Sequence, residues 1–264
     1  MRRLIGRVLC GDVRRFGLTS FTIESRDGTK IDVAHLPAAE PNGRLPVLFM
    51  HGWLEVKEYH VRRAMQMTAL GHDVVLFDHR AHGRSEGRET TFGVREKEDA
   101  SAVVDEVIRR ELIGERIIAM GHSLGGATAL QQAAADPRVT GVVAFAPFGT
   151  LRDAIDSFRD QLAPWMSSPW LMRGFERAAF EAGFDLDHAC TITAAQKLTV
   201  PVMLIDAGRD RSLPTALHAT RIVESMTTAK FVRFTVPEAS HVNLVRNNWP
   251  GLSEAVDRFC AELR

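Results

Sequence analysis

The sequence is poor in cysteine, has no excess charge of either sign, and contains no long apolar run. Its three cysteines, Cys10, Cys190 and Cys260, are too few and too scattered for a disulfide framework or a zinc site. Such sparse usage fits a reducing, cytoplasmic setting. Lys and Arg together number 33, as do Asp and Glu, so no long-range field draws nucleic acid or an anionic membrane to the chain. No stretch approaches the roughly 20 apolar residues of a membrane-spanning helix, and stable membrane insertion is not expected. Residues 1–10 start basic and apolar, as a secretion signal does, but Arg7 interrupts the run and Arg14 and Arg15 follow it, leaving the apolar stretch too short. Leu9 before Cys10 is also too large for a lipoprotein cleavage site. The segment reads as a solvated lead-in, with a short basic amphipathic helix touching a membrane as the alternative. Internal repeats, low-complexity tracts and linkers are likewise missing. The 264 residues fall at the upper end for one domain, and the chain is read as a single domain over 1–264.

Hydrophobic residues make up 45% and charged residues 25% of the chain, as in ordinary soluble proteins with a large core. Residues 20–25 and 30–35 alternate apolar and polar around Asp27-Gly28, the signature of a hairpin. After the loop signal Pro41-Asn42-Gly43 come short apolar runs at 45–50, 73–78, 116–120, 139–145, 200–206 and 230–236. Most lack alternation, as expected of strands buried on both faces of a parallel sheet. Helical stretches fall between them, at 56–70, 91–112, 127–135, 214–226 and 249–263. Strands alternating with helices predict an α/β fold: a mostly parallel twisted sheet of about eight strands with helices on both faces. Between 150 and 197 the rhythm lapses, and Pro164 and Pro169 should break any long helix. This stretch is read as a short helical lid inserted into the domain. Phe158, Trp165, Met166, Trp170, Met172, Phe175 and Phe180 would line an acyl pocket or pack the lid onto the body. Asp153, Asp156, Asp160, Glu176 and Glu181 either bind a substrate amine or form a solvated face among the interspersed arginines.

The chemistry centres on Gly121-His122-Ser123-Leu124-Gly125-Gly126, between a predicted strand and an alanine-rich helix. Strand, sharp turn and helix around G-x-S-x-G form a nucleophile elbow, which holds a serine in strained backbone with its hydroxyl exposed. Side chains two positions either side would collide, which Gly121 and Gly125 avoid, and Gly126 lets the helix lie close to the strand. A serine hydroxyl needs an imidazole to take its proton, and the imidazole needs a carboxylate to orient it. In open α/β sheets such partners gather just beyond the carboxyl ends of strands. His241 follows the last predicted strand, and Asp210 follows the one before it, with Asp206 at that strand's end as a rival. The order Ser123, Asp210, His241 is the one this architecture uses. Oxyanion donors are expected from the backbone N–H groups of Leu124 and of Trp53, in the turn His51-Gly52-Trp53.

Taken together, His51-Gly52-Trp53, the stretch 77–85, the elbow, the spacing from Asp210 to Pro214 and His241 resemble the α/β-hydrolase family over about residues 21–263. The stretch 86–93 with Glu96 and Asp99, and Ala146-Pro147-Phe148, is similar to its small esterase and serine-aminopeptidase-like branch. The resemblance implies that Asp78, His79, His82 and their neighbours shape the site's edge rather than react. In one respect the sequence departs from the family pattern: Ala207 stands three residues before Asp210, where a glycine is common, and Gly208 follows it. A serine nucleophile argues against dehalogenase chemistry, which uses an aspartate. The expectation is a serine hydrolase, needing neither cofactor nor metal, that cleaves a small-molecule carboxylic ester through an acyl-enzyme. Thioester or peptide hydrolysis by the same triad and a slow or inert ligand-binding relative are the alternatives, and a membrane-associated lipase using the basic lead-in is a weaker one.

Overall fold

The computed structural model describes residues 19–162, 164–227 and 230–263; the lead-in considered at 1–10 lies outside them. Strands β1 (Thr19–Glu24) and β2 (Lys30–Leu36) form the hairpin, with Gly28 at φ +80° in its turn. Strands β3 (Val47–Met50), β4 (Val74–Phe77), β5 (Ile117–His122), β6 (Val139–Phe145), β7 (Val202–Ala207) and β8 (Phe231–Val236) follow. They build an eight-stranded sheet in the order β1-β2-β4-β3-β5-β6-β7-β8. Pairings that involve β2 are antiparallel and the rest are parallel.

The unalternating apolar runs are explained by burial on both sides. Successive side chains of a strand point to opposite faces. Thus Phe49, Met120 and Phe145 enter one core beneath helices α1 (Val61–Ala69) and α8 (Leu252–Glu262). Their neighbours Met50, Ala119 and Ala144 enter a second core. That core lies beneath α2 (Glu96–Arg109), α3 (Leu124–Ala133), α6 (Thr191–Ala195) and α7 (Ala219–Ser225). A third cluster joins Leu124 and Phe148 at the sheet's carboxyl edge to α4 (Leu151–Leu162) and α5 (Ser168–Glu181) of the 150–197 segment.

Several element boundaries differ from the sequence expectation, among them the helix expected at 91–112, which runs over Glu96–Arg109. The stretch 56–70 opens with a 3-10 turn at Lys57–His60 before α1 begins. The helix expected at 214–226 shrinks to Ala219–Ser225, with turns occupying the residues after Pro214. Pro169 does not break a helix: it sits in the first turn of α5, where its missing N–H is not needed.

Candidate active site

Because β3 and β5 to β8 run parallel, the loops leaving their carboxyl ends meet along one edge of the sheet. Ser123, directly after β5, has φ 54° and ψ −114°, a conformation that a side-chain-bearing residue adopts only where its surroundings enforce it. Its N–H donates to the Phe145 carbonyl at 2.8 Å, and its own carbonyl accepts the Ala127 N–H at 2.9 Å. The flanking glycines permit this turn by close backbone approach. A Cβ on Gly121 would lie 2.4 Å from the Gly125 carbonyl, and one on Gly125 would lie 2.1 Å from the Met50 oxygen.

The structure brings Ser123, His241 and Asp210 into one hydrogen-bonded chain. The Ser123 hydroxyl lies 2.9 Å from His241 Nε2, and His241 Nδ1 lies 2.7 Å from Asp210 Oδ2. The other Asp210 oxygen accepts the Ser212 and Leu213 N–H groups at 2.9 and 2.8 Å. That fixes the carboxylate toward Nδ1, so the histidine's free lone pair faces the serine. Asp206 takes no part in this chain. Its Oδ2 accepts from Arg233 Nε at 2.6 Å within the β7–β8 pair, and burial, opposed by that arginine, raises its pKa. The displaced glycine of this loop also has a local cause. The Gly208 N–H bonds the Val236 carbonyl at 2.9 Å, and a Cβ there would stand 2.5 Å from the Pro237 oxygen.

The turn 51–55 is pinned on several sides. His51 Nδ1–H donates to the Gly52 carbonyl at 2.7 Å, while its Nε2 accepts the His79 N–H at 2.9 Å. His82 Nε2 accepts the Leu54 N–H at 3.2 Å. The His79 backbone and the His82 ring thus hold this loop. Asp78 is buried against Lys57 Nζ at 2.7 Å and accepts the Lys57 and Arg84 N–H groups at 2.9 Å each. Among the described residues, neither the Trp53 nor the Leu124 N–H has a hydrogen-bond partner, which leaves both available to a ligand oxygen.

Behind Ser123, His241 and Asp210 lies a cluster that the sequence reasoning missed. The buried Glu55 carboxylate receives the Gly52 N–H at 2.8 Å and His60 Nε2–H at 2.9 Å, and stands 3.4 Å from His122 Nδ1. The other nitrogen of His122, Nε2, donates to the backbone carbonyl of His241 at 2.9 Å. Burial works against the charged form of Glu55, yet the bonds from His122 and His60 hold its pKa well below the usual carboxylate range. No periodicity or local motif marks this group, because its members come from the turn after β3, the 3-10 turn and the end of β5.

A cavity of about 200 Å³ opens from Ser123 beneath the helical segment. Trp53, Phe92, Leu124, Phe148, Phe158 and Phe175 line it together with Arg159, Leu213 and aliphatic side chains of α4 and α5. Phe158 and Phe175 thus stand where the sequence suggested a pocket. Trp165, Trp170 and Phe180 do not: they are 80%, 65% and 83% exposed and face away from both pocket and body. The five acidic residues of this segment considered as amine anchors are paired with arginine. Asp153 meets Arg221, Asp156 and Asp160 meet Arg159, Glu176 meets Arg152, and Glu181 meets Arg177. None of them lines the cavity. Among the described residues, no group of three or more His, Cys, Asp or Glu is arranged to hold a metal ion, and no helix is long and apolar enough to cross a membrane.

Residues 46–187, more than half of the chain, match the alpha/beta hydrolase fold family. An uncharacterized protein of Mycobacterium tuberculosis is 24% identical over 241 residues, covering 91% of this chain and 78% of its own length. Among solved structures, the Pyrococcus furiosus esterase Pf2001 is similar with a TM-score of 0.77 at 19% identity, with 96% of each chain covered. An acetyl xylan esterase from a Paenibacillus species gives 0.72 at 18% identity, over 94% of this chain and 84% of its own. At such identities the likeness is one of fold.

Proposed function

The chain belongs to the alpha/beta hydrolase fold family, and on that premise we propose that it is a serine hydrolase that cleaves small carboxylic esters through an acyl-enzyme. The observation that carries this reading is the unbroken chain Ser123–His241–Asp210, with contacts of 2.9 and 2.7 Å, beside two unpaired backbone N–H groups. In the first half-reaction, His241 Nε2 takes the hydroxyl proton as Ser123 Oγ attacks the ester carbonyl carbon. Asp210 stabilises the imidazolium, and the Trp53 and Leu124 N–H groups receive the charge that develops on the carbonyl oxygen. The C–O bond then breaks, and His241 returns the proton to the departing alkoxide. A water molecule, deprotonated by His241, cleaves the acyl-enzyme, releases the carboxylic acid and restores the serine.

The helical segment 150–197 acts in this reading as a lid whose inner face encloses the substrate. The esterase activity of the Pyrococcus and Paenibacillus proteins supports an ester as substrate. The arginine pairing of every acidic residue considered as an amine anchor removes the specific support for an aminopeptidase. The test is hydrolysis of p-nitrophenyl esters, with Ser123→Ala as the blank. Turnover should fall on the order of 10⁶-fold in that variant while its circular dichroism stays unchanged. Failure on every ester, with Ser123-dependent turnover of thioesters or amides, would replace the ester by one of those classes. Failure on all of them would favour a ligand-binding relative.

A further inference from the structure

The cavity beside Ser123 carries information about which part of an ester it holds. The leaving oxygen has to receive its proton from His241 Nε2, so the alcohol must lie on the His241 side of the serine. The cavity is lined by Ser123, Leu124 and Trp53 but by neither His241 nor Asp210. It therefore lies on the acyl side. Its lining is apolar apart from the Ser123 hydroxyl and Arg159; the Arg159 guanidinium bonds Asp160 and the Met166 carbonyl, and its Nε, 3.8 Å from Asp156, is left without a hydrogen bond. A charged or polyhydroxylated acyl group would thus find at most this one free N–H beyond the serine and would otherwise be desolvated without partners. A dry cavity of about 150 Å³ accommodates benzene; in proportion, about 200 Å³ accommodates about eight carbons.

We propose that the enzyme is selective for neutral, apolar acyl groups of medium length or aryl character, up to about eight carbons, in a cavity whose lining includes Ala154 of α4 and Phe175 of α5. This rests on the esterase reading above. The test measures kcat/KM across p-nitrophenyl esters from acetate to dodecanoate for the wild type, Ala154→Phe and Phe175→Ala, with Ser123→Ala as the blank. A parallel series holds butanoate fixed and lengthens the alcohol. In the acyl series kcat/KM should rise about fourfold per methylene until the cavity is full, and then fall. Ala154→Phe should shift the maximum to shorter acids and Phe175→Ala to longer ones. Should either variant fail to fold, the wild-type profile alone decides. Ser123-dependent turnover that is flat or falls from acetate onward, or length selectivity confined to the alcohol, would overturn the acyl assignment and leave the esterase reading intact. No Ser123-dependent turnover on any ester would remove both.

A second inference rests on a different observation. One oxygen of Glu55 grips the Gly52 N–H, one residue before Trp53, and faces His122, whose other nitrogen holds the His241 backbone carbonyl. We infer that Glu55 is a positioning residue that holds the oxyanion loop and the general base in register through His122. Its effect should appear only as charge develops in the transition state, in kcat rather than KM. Glu55→Gln keeps the shape but removes the charge, and should lower kcat about tenfold with KM little changed. His122→Ala should do the same, and the double variant should lose no more than the worse single one, since both act through one linkage. Losses that multiply, a loss confined to KM, or a lowered melting temperature with kcat intact would overturn the assignment. Each of these outcomes is read against an active wild type, so none of them bears on the esterase reading.

Discussion

Asp206 and Asp210 stand four residues apart on one strand and its loop, and their surroundings separate them. Asp206 lies within β7 and is committed to Arg233 of β8. Asp210 is held by two backbone N–H groups with its remaining oxygen on His241. Replacing Asp210 by Asn should therefore cost about 10⁴-fold in kcat, because an amide N–H toward Nδ1 forces the histidine into the wrong tautomer. Asp206→Asn should leave kcat within a few-fold and show its effect in thermal stability. Steady-state kinetics and a melting curve on both variants check the pair, and a catalytic collapse of Asp206→Asn would reverse the assignment of the acid.

Among the elements, two helical glycines make opposite predictions. Gly125 lies in the first turn of α3, where a Cβ would sit 2.1 Å from the Met50 carbonyl oxygen of β3. Backbone on both sides of that contact cannot yield without moving the helix off the sheet, so Gly125→Ala should destabilise the protein by about 3 kcal/mol or more. Gly174 lies within α5, where an added Cβ meets nothing within 4 Å. Gly174→Ala should stabilise that helix by about 1 kcal/mol through lost backbone freedom in the unfolded chain. Denaturant melts of the two variants measure both signs. A tolerated Gly125→Ala would mean that α3 and β3 are less closely packed than described.

For the molecule as a whole, buried histidines set the acid limit of stability. Burial lowers the pKa of His79 to about 3 and that of His218 to about 4, from an ordinary 6.5. Below pH 6.5 the unfolded chain binds protons at these positions that the folded chain refuses, so folding loses stability as the pH falls. The stabilisation is complete above pH 6.5 and declines by about 3 kcal/mol for each histidine as pH 4 is approached. Both ring nitrogens of His79 lack a hydrogen-bond partner among the described residues, so His79→Phe should shed part of this slope without stranding another group. Melting temperatures between pH 4 and 8 give the slope for both proteins, and identical slopes would place the acid sensitivity elsewhere.

The sequence by itself determined the sheet, the elbow and the order of the three site residues, because each is written in local chemistry. Apolar runs without alternation record burial on both faces, Gly121 and Gly125 record a close backbone crossing, and strand-end positions single out Ser123, Asp210 and His241. What tertiary structure alone decided depends on distances between segments remote in sequence. Arg233 on a neighbouring strand takes Asp206 out of contention, a contact that no spacing encodes. The large apolar residues of 150–197 could be listed from the sequence, but only packing sends Phe158 and Phe175 inward and leaves Trp165, Trp170 and Phe180 in solvent. The Glu55–His122–His241 linkage spans 67 residues at its first contact and 119 at its second. Buried polar groups must find partners wherever the fold brings them, and one-dimensional pattern carries no record of that meeting.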